Sequence, residues 1–259
     1  MRSRMHPRHY LSQEIFEREQ KKLFRKVWLF AGLKTLLPRN NSFITRKIAG
    51  IPVVIQNFEG ELRAFENVCL HRSAPIQKAP IGTRVLVCPY PPWRYNAQGE
   101  VASIPDGDSI YSVGAAERQG LKLREFALRA VGNVLLVNLD ASPAPLEAQF
   151  SREFLELLES SSSMYDSEVM VTTWHGKFNW KLAYENLRDA NHPRFVHPKT
   201  LGKAVNFVPR VDIAQAEETL SELPDTSPEA MWREIRRFSY GGADAPIPDL
   251  GGSDWFDLV

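Results

Sequence analysis

The residues with the most chemistry per unit length stand together at Glu185-Asn-Leu-Arg-Asp189-Ala-Asn-His192-Pro-Arg-Phe-Val-His197, where two of the six histidines and two acids lie close in sequence. Residues 179–191 read as a helix, because Trp180, Ala183, Tyr184 and Leu187 recur at helical spacing. On that helix Glu185, Asp189 and His192 are four and three residues apart and share one face. Pro193 follows at once and must end or kink the helix, since it has no N–H to donate. His192 and His197 are five apart, too far to share a face of a straight helix, but a break between them can aim both imidazoles at one ion. Two histidines and one carboxylate with open positions form the facial triad that holds non-heme iron for oxygen chemistry. The same pair could instead hold zinc in a hydrolase, or serve only as surface or helix-end histidines.

A second constellation lies upstream. It reads Asn67-Val-Cys69-Leu-His71-Arg72, and after sixteen residues beyond His71 comes Cys88-Pro-Tyr-Pro91-Pro92-Trp93-Arg94-Tyr95. Cys69 and Cys88 are the two cysteines of the chain. For such a pair a disulfide is the plain alternative, and a metal role gains weight in a reducing compartment. One Cys-x-His pair and a later cysteine loop, both between strands, supply the ligand types of a Rieske [2Fe–2S] centre, in which two cysteines hold one iron and two histidines the other.

Taken with the flanking words, these motifs resemble the Rieske non-heme iron oxygenase α subunits, the aromatic-ring-hydroxylating dioxygenase family. The resemblance runs over nearly the whole chain, in the order N-terminal helix, β domain, histidine helix. It implies an α+β fold, with an antiparallel β Rieske domain and a partial helix-grip catalytic domain. The implied boundaries are 1–41 for an N-terminal helical segment, 42–142 for the Rieske domain and 143–259 for the catalytic part. It further implies that Cys69, His71 and Cys88 hold the cluster and that His192 and His197 hold Fe(II). Asp189 matches the acid that couples the cluster of one subunit to the iron of its neighbour, and Asn186 a residue close to the iron. The implied activity is O₂-dependent hydroxylation of an aromatic or related substrate. Electrons come from NAD(P)H through a ferredoxin or reductase, and the assembly is a homotrimer, with or without a β subunit.

Two departures stand against that pattern. The second loop of the family reads Cys-x-x-His-Gly, and here Pro91 and Pro92 occupy the histidine and glycine positions. Pro91 has no metal-binding side chain, and neither proline has an N–H to offer a cluster sulfur. Ser73 stands where the family often has glycine, and His6, His9 and His175 have no spacing that nominates them as substitutes. The third iron ligand of the family is an aspartate far downstream of the histidines, whereas 62 residues follow His197. Asp244, Asp249, Asp254 and Asp257 read as loop or tail acids, so the expected segment is absent from this sequence. A homologue without turnover is therefore the rival reading.

Composition sets the outer bounds. The chain has 259 residues, 43% of them hydrophobic and 24% charged, enough for a sizeable core. Its net charge of +1 gives no argument for nucleic acid or an anionic membrane surface. No apolar run approaches the roughly 20 residues of a membrane span, and the basic start lacks the apolar stretch of a secretory signal, so a cytoplasmic location is expected.

The elements that must position these residues follow from periodicity. Ser12 can cap a helix reaching to about Trp28. Strands are expected at Ser42–Ile48, Pro52–Asn57 and Leu62–Phe65, with turns at Ala49-Gly50 and Glu59-Gly60, and again at Thr83–Val87 and Asn133–Asn138. Residues 141–145 read as a linker. Beyond them come a helix at Phe150–Ser160, a strand at Glu168–Trp174, a further strand at Asn206–Asp212, and a helix opened by Ser227-Pro228-Glu229 that runs to about Arg237.

Overall fold

Three successive strands set the frame of the β unit. They are β2 (Ser42–Ile48), β3 (Ile51–Phe58) and β4 (Glu61–Glu66), paired antiparallel through Ile48↔Ile51 and Phe58↔Glu61. Each connection is two residues long. Ala49, Gly50, Glu59 and Gly60 all have positive φ, at 45°, 80°, 54° and 99°. That is the backbone of a type I′ hairpin, whose twist matches that of its strands. The computed structural model describes residues 6–105, 120–171, 176–188 and Val196.

The full sheet has seven strands in the order β1-β9-β8-β4-β3-β2-β5. The others are β1 (Leu29–Leu33), β5 (Ile81–Thr83), β8 (Glu125–Val131) and β9 (Val134–Asn138), and every pairing is antiparallel. A separate two-stranded ribbon joins β6 (Arg94–Tyr95) to β7 (Val101–Ser103). The sheet curls. A Cβ on Gly32 of β1 would stand 2.5 Å from Ile44 Cδ1 of β2, so the two strands meet across the core although they are not paired.

Side chains alternate between two cores, as the pleat requires. Phe43, Val54 and Phe65 enter one core, with Cys69, Ile76, Leu86, Cys88 and Trp93. Ile44, Val53, Ile55 and Ala64 enter the other, with Phe126, Leu135 and Val137. Both faces of β3 are thus covered, which explains its nearly unbroken apolar run. Helix α3 (Arg152–Ser162) covers a third cluster, in which Trp28, Val131, Val134 and Leu146 are buried beside Leu155 and Leu158. Ser151 caps this helix by accepting from Phe154 N at 3.2 Å.

Several expectations change. The N-terminal helix is capped by Ser12 as expected, with Ile15 N at 3.3 Å from its Oγ. It is α2 (Gln13–Glu19), preceded by the short α1 (Arg8–Leu11), and a π-helical turn at Gln20–Phe24 ends it. Trp28 is not helical, because tertiary partners take its backbone. Gln149 accepts from Trp28 N at 2.6 Å and donates to Trp28 O at 2.9 Å, while the Trp28 indole donates to Ala144 O. The strand expected at Thr83–Val87 is β5, which ends four residues earlier at Thr83, and Arg84 beyond it serves as a tether instead. Helix α3 extends through Ser162, past the expected stop at Ser160, because the serine hydroxyls donate back to carbonyls three residues before them. Residues 168–171 carry no regular structure, and Met170 is 93% exposed. The rest of the strand expected at Glu168–Trp174, residues 172–174, lies outside the described residues.

The described residues form two compact units, 17–171 and a smaller one of 6–16 with 176–188. The smaller unit holds α4 (Trp180–Arg188), within the expected helix. Its backbone starts on Asn179, whose Oδ1 accepts from Lys181 N at 3.1 Å. The apolar face expected on it is open: Leu187 is 84% exposed, and Lys181 is the buried side chain of the helix. The expected elements at 206–212 and 227–237 lie outside the described residues, as do Asp189, His192 and His197.

Candidate cofactor-binding site

Two loops project from the first core and carry the cysteines. The first runs from Asn67 to Gln77 and is held shut by one buried side chain. Asn67 Oδ1 accepts from Ile76 N at 3.1 Å and from Gln77 N at 2.9 Å, and its Nδ2 donates to Gln77 O at 2.8 Å. Within the loop, Cys69 N donates to Ala74 O and Ser73 N to Cys69 O, which makes a tight turn around His71. Ser73 takes φ 56° there, the left-handed conformation for which glycine is the easier residue.

The second loop begins after Leu86. Cys88 N donates to Trp93 O, Trp93 N to Pro91 O and Tyr95 N to Leu86 O, so the loop closes on itself between Cys88 and Trp93. Arg84 joins the two loops. Its guanidinium donates to Gln77 Oε1, to Ile76 O and to Val87 O. Gln77 in turn donates to Gln56 Oε1 and to the carbonyls of Arg84 and Val85. This buried polar network fixes one loop against the other, because each member would cost more unpaired than paired.

Both thiols are free, and each is 1% exposed. The Tyr95 hydroxyl lies 3.1 Å from Cys69 Sγ and also accepts from Leu70 N at 3.1 Å. Tyr90 N points at Cys88 Sγ from 3.4 Å. Burial pushes the Cys88 thiol up; the Tyr90 backbone opposes this, and the neighbouring Cys69 adds to the rise. Tyr95 is pushed up as well, first by burial and then by its hydrogen bond with Cys69. His71 lies flat on Trp93, with ring centroids 5.3 Å apart and planes 22° from parallel.

The donor set can be compared with what a Rieske centre needs, two thiolates and two imidazoles. The loops bring Cys69 and Cys88 into one core and lay His71 against Trp93, and Pro91 stands in the fourth position. Among the described residues no three His, Cys, Asp or Glu side chains gather into a metal-holding group. The residues present therefore do not fit a complete cluster. Sequence reasoning nominated Cys69, His71 and Cys88 as donors. It missed Asn67, Gln77, Arg84 and Gln56, which position them, because a buried polar side chain is recognisable only once the fold buries it.

In the smaller unit, Asn186 and Glu185 lie on the exposed side of α4. Tyr10 OH donates to Glu185 Oε1 at 2.5 Å. That bond, with some burial and the carboxylate charge, pushes the Tyr10 phenol up to about 12. The protonated phenol is the favoured form. The contribution of the bond is complete below the ordinary tyrosine value of ~10 and disappears as pH rises through about 12. An alkaline absorbance titration should show Tyr10 among the late phenols, beside the buried Tyr95, and Glu185→Ala should move one phenol back toward the ordinary range. A Tyr10→Phe variant that loses no late phenol would contradict the assignment.

The curled antiparallel sheet with two cysteine loops at one end defines a Rieske-type domain. Comparison with known proteins agrees, since the family model "Rieske [2Fe-2S] domain" matches residues 27–117. The chain is 32% identical over 198 residues to the glycine betaine monooxygenase oxygenase subunit of Pseudomonas aeruginosa, a match covering 74% of this chain and 44% of that subunit. It is 29% identical over 197 residues to the anthranilate 1,2-dioxygenase large subunit of Acinetobacter baylyi, covering 73% of this chain and 41% of the relative. A crystal structure of a quaternary ammonium Rieske monooxygenase with substrate L-carnitine is similar at TM-score 0.65 and 25% identity, over 80% of this chain and 57% of that one. The chain thus carries a region that matches the Rieske domain and is similar, over about three quarters of its length, to the oxygenase subunits of Rieske oxygenases. It spans about half the length of the curated relatives it matches.

Proposed function

We propose that this chain is built as, or as part of, the oxygenase subunit of a Rieske-type oxygenase, a class that hydroxylates small organic substrates with O₂. The observation that carries the reading is the joint presence of a Rieske domain and, downstream of it, the Glu185 to His197 stretch. His192 and His197 would hold mononuclear Fe(II), which supplies oxygen chemistry when bound. Asp189, one turn before His192, would orient that imidazole, and Asn186 would lie close to the metal. Electrons would come from NAD(P)H through a reductase or ferredoxin. The names of the relatives favour a quaternary ammonium substrate over the aromatic one that the sequence motifs suggest. A homotrimer in the cytoplasm is the arrangement this reading carries. Among the described residues no helix is long and apolar enough to cross a membrane.

The test is anaerobic Fe(II) titration of the full chain and of His192→Ala. Affinity should fall by at least about tenfold, the least that even an outer-shell change around a metal typically costs. Equal affinity in the two proteins would sink the assignment of the iron site. A second reading, a homologue that keeps the fold without turnover, is favoured by one observation, Pro91 in the ligand position.

A further inference from the structure

We infer that the Pro91-Pro92 pair keeps this chain from holding a stable [2Fe–2S] cluster, and that the two thiols and the loops that carry them are otherwise ready for one. The inference rests on the Rieske reading of the two loops and concerns this chain's departure from it.

Three observations carry it. The first is that the thiol half of the site is complete. Cys69 and Cys88 are unbridged and buried in one core. Each sulfur already has a polar neighbour, Tyr95 OH for Cys69 and Tyr90 N for Cys88. Hydrogen bonds to the sulfurs and firm placement of every ligand are what sustain such clusters. The second is that both loops are fixed from outside residues 91 and 92. Asn67 closes the first, the Cys88 N to Trp93 O bond closes the second, and Arg84 joins them.

The third concerns the prolines themselves. Pro91 enters the loop's hydrogen bonding through its carbonyl, which accepts from Trp93 N at 2.7 Å, and histidine keeps that carbonyl. Pro92 is exposed, so glycine there displaces nothing. The pair costs the site one imidazole and two N–H groups, and it restricts the residue before each ring. With one imidazole, the outer iron would keep one protein ligand, His71.

Assembly needs no oxidant. Ferric iron and sulfide enter from solution, the Cys69 and Cys88 thiols each release a proton, and two neutral imidazoles complete the set. The experiment is anaerobic reconstitution of the full chain and of Pro91→His/Pro92→Gly with ferric iron and sulfide. Iron and acid-labile sulfide are counted per chain after desalting, and the visible and reduced-state EPR spectra are recorded. The double variant should hold about two irons and two sulfides, at least about tenfold more than the unaltered chain, with a Rieske spectrum. Adding Cys69→Ser to the double variant should abolish it.

A full, stable cluster in the unaltered chain would overturn the inference while leaving the Rieske reading intact. An empty double variant that still unfolds cooperatively would also overturn it, since a second defect must then exist. A double variant that no longer folds would overturn the claim that the loops are fixed without the prolines. A cluster that survives Cys69→Ser would instead break the Rieske reading of the loops.

Discussion

Phe65→Ala is expected to destabilise the β unit by about 4 kcal/mol, within the roughly 3–5 kcal/mol usual for emptying a buried phenylalanine site. Phe65 is fully buried, on the face of β4 that looks into the core shared with both cysteines. Phe58 meets its ring edge-on at 6.2 Å. Gly99 presses on it so closely that a Cβ there would stand 2.7 Å from the ring. Gly99 also has φ 78°, so its backbone is held by the turn and has little freedom to settle into the space left behind. The Asn96 side chain pins that turn, accepting from Gln98 N and Glu100 N. Poor collapse is what puts a truncation at the costly end. Urea unfolding followed by tryptophan fluorescence measures the effect. A loss under about 1 kcal/mol, the level of a volume-conserving swap, would show that this core is not packed as described.

Asn67→Ala should cost about 3 kcal/mol and act on the first cysteine loop more than on the sheet. The side chain satisfies two amides and one carbonyl that have left the strand ladder. Alanine strands all three, and each buried unsatisfied group costs about 1–3 kcal/mol, less where water can enter. Asn67→Asp separates these terms, because it keeps the acceptor for both amides and loses the donor to Gln77 O. It should retain part of the stability. Amide hydrogen exchange gives the local readout: protection at Ile76 and Gln77 should collapse in the alanine variant while Val53 to Ile55 of β3 stay protected. Unchanged protection at Ile76 would show that the loop is closed by other contacts.

The metal-type residues were legible in the sequence because side-chain chemistry and spacing are local. Cys69, His71, Cys88 and the substituted Pro91 could be read without coordinates. So could β2, β3 and β4, since period-two alternation and the Ala49-Gly50 and Glu59-Gly60 turns are short-range signals, and the structure places both turns at positive φ. Strand β1 could not be read. Its partner β9 lies about a hundred residues on, and only that pairing makes Leu29–Leu33 a strand rather than the end of a helix. Trp28 shows the same competition, since its backbone bonds go to Gln149 instead of to a helical turn.

What holds the site was decided by tertiary structure for a further reason. Asn67, Gln77, Arg84 and Gln56 are polar residues that a sequence reading assigns to the surface. Burial alone turns them into a network, because away from water every donor and acceptor must find a partner in the fold. The sequence by itself determined which metal-type side chains the loops carry and that proline stands at position 91. The fold decided that the two thiols, far apart along the chain, share one core, and that the loops carrying them are closed by bonds the two prolines do not donate.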